Sequence, residues 1–97
     1  RGHSPLAEAV WAIGYRKRGY ASLELLLRHG ADVDAVDSNG WSPLMTASWF
    51  GSSNAVQILL DGGANTAVAD EKGRTALSLA QEKGHYEVVR MLSSVSR

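Results

Sequence analysis

The sequence predicts an all-α solenoid of three helix–turn–helix units joined by short hairpin-like arms. Three observations carry the prediction. Pairs of short motifs recur 33 positions apart: Gly30-Ala31 returns as Gly63-Ala64, and Asp37 with Gly40 returns as Asp70 with Gly73. Likewise Ser42-Pro43-Leu44 returns as Thr75-Ala76-Leu77, and Ile58-Leu59 as Met91-Leu92. A period of this length belongs to small supersecondary units that bury their apolar faces only against a neighbour. Helix-capping residues and stopping glycines recur in phase with it, and between them lie apolar residues at helical spacing.

The middle copy shows how one unit is built. Ser42 is a candidate cap, because its hydroxyl can accept from an unpaired backbone N–H one turn on. Pro43 suits the first helical position, where no donor is needed. Leu44 and Ala47 then share a face, and a helix of about two turns ends before Gly51. Ser52, Ser53 and Asn54 offer caps for a second helix carrying Val56, Ile58, Leu59 and Leu60. Gly62-Gly63 stops it, since glycine takes the left-handed terminal conformation without strain. The segment Ala64–Asp70 reads as extended, and Asp70-Glu71-Lys72-Gly73 has the residues of a tight turn.

Measured by this period, the chain divides at 1–36, 37–69 and 70–97. The first unit carries an insertion, because Ser4 to Ser42 spans 38 positions instead of 33, while Leu27 to Leu60 again spans 33. The extra five residues therefore fall within Ala12–Arg18, where they lengthen the helix ends, form a protruding loop, or do both. In the last unit Ala76 replaces the proline, and Leu92 runs into Ser93-Ser94-Val95-Ser96-Arg97. Small polar residues there suit a C-terminal cap with a wettable outer face. Leu6, Val10, Leu23 and Leu26 are expected to face partly toward an upstream neighbour, implying that the parent protein continues N-terminally as a larger polypeptide.

Composition excludes several functions. Ten basic residues balance ten acidic ones in 97, so no general field draws the chain to nucleic acid. There is no cysteine, which removes disulfides and thiolate metal sites and fits an intracellular setting, cytoplasmic or nuclear. No apolar run approaches the roughly 20 residues of a membrane span, so direct membrane insertion is not expected. His3, His29 and His85 fall at different template positions, with no pair at i, i+4 for a metal. Gly62-Gly63 lacks the lysine and hydroxyl of a phosphate loop. Glu8, Glu24, Asp32 and Asp34 are dispersed, so no carboxylate pair suggests acid–base chemistry. A non-catalytic module without cofactor or metal is the expectation.

The strings Asp37-Ser38-Asn39-Gly40-Trp41-Ser42-Pro43-Leu44 and Leu26-Leu27-Arg28-His29-Gly30-Ala31-Asp32-Val33-Asp34-Ala35 closely resemble the ankyrin repeat. The same register fits Gly2-His3-Ser4-Pro5-Leu6 and Gly73-Arg74-Thr75-Ala76-Leu77, so the resemblance covers essentially the whole chain. It implies a protein-binding module. It also implies that the family's histidine after Thr-Pro-Leu, which bridges neighbouring repeats, is replaced here by Ala7, Met45 and Ser78. Inter-repeat polar contacts should then give way to packing, with lower stability than the family norm.

The resemblance further implies a concave groove lined by turn tips and by the ends of the first helices. The tips contribute His3, Ser38, Asn39, Trp41 and Arg74. The helix ends contribute Trp11-Ala12, Trp49-Phe50 and Glu82-Lys83. All three tryptophans and the single phenylalanine thus map to the groove. Large aromatics beside arginine are the composition of binding hot spots, and together these exceed the apolar patch of an ordinary monomer. Other placements stay open: Trp41 supporting the next turn, Trp11 or Trp49 shielding the insertion, Phe50 tucked under the second helix. A secondary site is expected in the insertion, where Tyr15 and Tyr20 flank Arg16-Lys17-Arg18. That basic run is a solvated loop, a contact for an acidic peptide, or a nucleic-acid or nuclear-import element. The partner is a protein or peptide; alternatively, the aromatics of a terminal array segment pack against another domain of the same protein.

Overall fold

The apolar spacing and the caps resolve into six helices in the computed structural model, which describes residues 5–16 and 19–95. These are α1 (Pro5–Arg16), α2 (Tyr20–Arg28), α3 (Pro43–Phe50), α4 (Ser53–Asp61), α5 (Ala76–Lys83) and α6 (Tyr86–Val95). No strand occurs among the described residues, and the architecture is an all-α repeat solenoid. Helices α1, α3 and α5 pack side by side as an inner layer, and α2, α4 and α6 form the outer one. Each inner helix also packs on its own outer partner.

Local chemistry sets the helix ends. Ser42 Oγ accepts from the Met45 N–H at 3.3 Å, and Ser52 Oγ from the Ala55 N–H at 3.3 Å. Thr75 Oγ1 accepts from the Ser78 N–H, and Ser78 Oγ accepts in return from the Thr75 N–H at 2.8 Å. At the equivalent position Met45 Sδ faces the Ser42 N–H at 3.4 Å. Met45 and Ser78 therefore close the first turns of their own helices. Helix α1 has 12 residues against eight in α3 and α5, so most of the insertion in the first unit extends this helix.

The middle helix is enclosed on all sides. Every residue from Ser42 to Ser48 is buried, including the polar Thr46 and Ser48. Ser48 Oγ satisfies itself by donating to the Leu44 carbonyl at 2.7 Å, as a buried hydroxyl must. Its buried side chains share one core with Leu6, Val10 and Ile13 of α1, Leu23 of α2, Val56 and Leu59 of α4, and Leu79 of α5. Leu6, Val10 and Leu23 are at most 1% exposed, and Leu26 is partly buried. This corrects the expectation of an outward face: α1 packs on both α2 and α3, so these side chains point inward.

The arms also depart from expectation. Ala64–Asp70 is not extended throughout, because Asn65 Oδ1 accepts from the Ala67 N–H at 2.9 Å and bends the chain into a turn at 66–67. Asp32 does the same to the preceding arm through the Asp34 N–H. The tight turns form as their residues dictate, with Gly40 and Gly73 N–H donating to the Asp37 and Asp70 carbonyls at 2.9 Å. Polar links between units persist despite the missing histidines, at other positions. Asp34 Oδ1 accepts from the Asn65 N–H at 2.8 Å, and the Trp41 indole N–H donates to Asp70 Oδ2 at 3.0 Å. His85 Nε2 donates to the Trp49 carbonyl at 3.0 Å.

Asp70 is the hub of the third arm. Its side chain is 3% exposed and accepts from the Lys72 and Arg74 N–H groups, the Trp41 indole and Arg74 Nε. The Arg74 N–H is the main force holding its pKa down from 3.8 to about 2; burial opposes it, while the Trp41 indole, the Arg74 side chain and the Lys72 N–H add to it. A carboxyl with a depressed folded pKa stabilises above its unfolded pKa and loses that contribution as pH falls through the folded one. Asp70→Asn is therefore expected to destabilise the fold at neutral pH, with the gap to wild type closing between pH 3.8 and about 2. Denaturant titrations across that range test this; a constant gap would contradict it.

Two glycines end inner helices with the same backbone but different surroundings. Gly51 and Gly84 have φ of 77° and 76°. A Cβ on Gly51 would overlap the His85 ring, whereas one on Gly84 meets nothing within 4 Å. Gly84→Ala is expected to cost about 1–2 kcal/mol, the left-handed penalty alone. Gly51→Ala should cost roughly 1–2 kcal/mol more, because it also displaces His85 from the Trp49 carbonyl. Equal losses in thermal denaturation would mean that the His85 contact contributes nothing.

Candidate functional site

Inner helices of unequal length bring their C-terminal ends to one side of the stack, where aromatic side chains accumulate. Trp11 and Tyr15 lie one turn apart on α1 and stack, with ring centroids 5.8 Å apart and planes at 23°. Trp49 and Phe50 end α3, and Trp41 stands on the arm that precedes it. Phe50 meets Trp11 edge-on at 5.0 Å and Tyr15 at 5.3 Å. Trp49 lies 5.2 Å from Phe50, 6.3 Å from Trp11 and 6.0 Å from Trp41. Edge and tilted contacts at these distances are the favoured aromatic geometries. The five rings form one continuous strip across two units.

Gly14 makes the strip possible at its α1 end. A Cβ there would overlap the Phe50 ring, so the absent side chain leaves the groove in α1 that Phe50 fills. Phe50 thus tucks against α1 and its glycine, not under the second helix of its own unit. Trp11, Trp41, Trp49 and Phe50 are all half-buried, each with part of its ring packed and part in solvent. Trp41 serves both the next turn, through its bond to Asp70, and the strip.

Cations cover two of the rings. The Arg74 guanidinium lies over Trp41 at 5.6 Å from its centroid, held there by Nε donating to Asp70. Lys83 Nζ lies over Trp49 at 4.8 Å. Both distances fall within the range of cation–π attraction. At the other end of the strip, Glu8, Trp11, Tyr15 and Asn39 line an open hollow of about 390 Å³. Ser38 and Asn39 are exposed on the turn tip of the second unit, where the Asn39 N–H is anchored to Asp37 Oδ1 at 2.8 Å.

The insertion does not behave as one loop. Tyr15 and Arg16 continue α1 and Tyr20 opens α2. Tyr15, 72% exposed, joins the aromatic strip, while Tyr20 is half-buried with its hydroxyl 3.5 Å from Ser52 Oγ. Helical continuation is the reason: residues 11 and 15 are separated by one turn and must share a face. His3, Lys17, Arg18 and the side chain of Arg16 lie outside the described residues. Glu8 and Asp70 enter the site without having been picked out as site residues, whereas Lys83 lies at one of the expected helix ends, aligned with Phe50 by the 33-residue period.

Among the described residues no cluster of three His, Cys, Asp or Glu side chains could hold a metal, and no helix is long and apolar enough to cross a membrane.

Comparison with known proteins agrees with this architecture. The family described as "Ankyrin repeats (3 copies)" matches residues 6–96. Ankyrin repeat protein nuc-2 of Neurospora crassa is 37% identical over 76 residues, which are 77% of this chain and 7% of that protein. Calmodulin-binding transcription activator 4 of Arabidopsis thaliana is 38% identical over 77 residues, 73% of this chain and 8% of that protein. Protein phosphatase 1 regulatory subunit 12A of Mus musculus is 36% identical over 66 residues, 67% of this chain and 6% of that protein. The chain thus spans less than a tenth of the length of these relatives. With three helix pairs in register and the family match running through all of them, the chain belongs to the ankyrin-repeat family, whose repeats are non-catalytic protein-interaction modules.

Proposed function

We propose that this chain is a non-catalytic binding segment that holds a peptide or protein partner along the aromatic strip. The observation that carries the reading is continuity: Tyr15, Phe50, Trp11, Trp49 and Trp41 touch in sequence, each with part of its ring in solvent. A strip of half-exposed large aromatics supplies rigid apolar contact area at low entropic cost, and flanking cations supply polar specificity. Trp11, Trp49 and Phe50 form its centre, with Trp41 and Arg74 at one end and Ser38 and Asn39 on the rim.

A second reading is supported by the small share of each relative that the chain spans. In it the strip packs against another domain of the same, longer protein. The rings are the same in both; the source of the covering surface differs, and a tethered domain avoids the entropic cost of associating with a separate partner.

Selection of binders from a displayed peptide library, followed by calorimetry, tests the first reading. Trp49→Ala is expected to weaken the selected binder by about 2 kcal/mol or more, roughly 30-fold. Circular dichroism verifies that the variant remains folded. Unchanged affinity in the double variant Trp11→Ala, Trp49→Ala would sink the proposal.

A further inference from the structure

The strip is electrostatically lopsided, and its free end has the chemistry of a cation receptor. The two ring faces nearest the third unit are already covered by the chain's own cations, Arg74 over Trp41 and Lys83 over Trp49. No described cation lies over the Trp11–Tyr15 pair, although Tyr15 is 72% exposed. Beside this pair stands Glu8, exposed and without an ion-pair partner among the described residues. Glu8, Trp11 and Tyr15 sit at i, i+3 and i+7 on α1, which places them on one helix face. Asn39 closes the hollow from the second unit with an amide that can accept or donate.

On the strength of the groove reading, we propose that this hollow seats a lysine or arginine side chain of the bound segment. The aliphatic stem would lie along Trp11, and the charged head would sit over Tyr15 within reach of Glu8. Each component is favourable to a cation: an open π face attracts positive charge, an adjacent carboxylate adds Coulomb attraction, and Asn39 can complete the hydrogen bonding. A volume of about 390 Å³ accommodates such a side chain. The opposite end, where Arg74 and Lys83 lie, repels positive charge, so the strip would orient its ligand with a basic residue at α1 and neutral or acidic residues toward α5. The basic run at 16–18 makes an acidic ligand the competing outcome.

Three small probes separate these outcomes: the N-acetyl methylamides of lysine, norleucine and glutamate, titrated while the Trp11 indole N–H resonance is followed. The lysine probe is expected to bind saturably at millimolar concentration, about three- to ten-fold more tightly than norleucine, which lacks the terminal ammonium. Glu8→Gln, an exposed substitution, should remove most of that advantage while leaving norleucine unchanged. Tyr15→Leu should weaken lysine more than norleucine. Equal binding of lysine and norleucine, preference for glutamate, no saturable binding of lysine, or indifference to Glu8→Gln would each overturn the proposal. The library selection distinguishes its failure from failure of the groove reading. Binders that depend on Trp49 but not on Glu8 leave the groove standing without the cation seat. A lysine-selective hollow in a chain that selects no peptides leaves the seat without the groove.

Discussion

Enclosure of α3 is the constraint on which the rest depends. A helix of eight residues is too short to be stable alone, and this one is buried from Ser42 to Ser48 on every side. It exists because α1, α4 and α5 each cover part of it. The neighbouring units in turn gain their core from the same contact. Stability in such a stack is shared between neighbours, so no unit has a meaningful stability of its own.

That dependence explains where the polar contacts between units lie. The interior of the stack carries apolar side chains and self-satisfied hydroxyls such as Ser48, while the inter-unit hydrogen bonds collect at the edges. Trp41 with Asp70, Asp34 with Asn65, and His85 with the Trp49 carbonyl all join arms or helix ends. Lacking the usual bridging histidines, the chain holds register at its periphery. The same edge carries the aromatics. Trp41 and Trp49 therefore have two tasks at once: fixing adjacent units and presenting ring surface to solvent.

Much of this was legible in the residues. Ser42-Pro43 and Thr75 mark helix starts by capping chemistry, Gly51 marks a helix end by its left-handed backbone, and Asp70-Glu71-Lys72-Gly73 marks a turn. These depend on atoms within a few residues. The repeat register, with the five-residue insertion placed after Trp11, also aligned Trp11 with Trp49, and the rings prove to be 6.3 Å apart. Other features were not legible because they depend on which surface faces which. The inward direction of Leu6, Val10 and Leu23 follows from how α1 packs, and the division of Tyr15 from Tyr20 follows from how far α1 continues. Asp70 looked like a turn residue, and its role as acceptor for Trp41 needed the distance across two arms.

By itself the sequence determined the kind of molecule: a period, capped short helices, glycine stops and the absence of reactive clusters all act locally or by simple repetition. Only the tertiary structure decided what the edge of the stack displays. Gly14 admits Phe50, Asp70 aims Arg74 at Trp41, and Lys83 reaches Trp49, leaving the Trp11–Tyr15 face beside Glu8 without a cation among the described residues. Local hydrogen bonding fixes an element from its own residues, but charge and ring contacts between elements arise only once packing has brought their ends together.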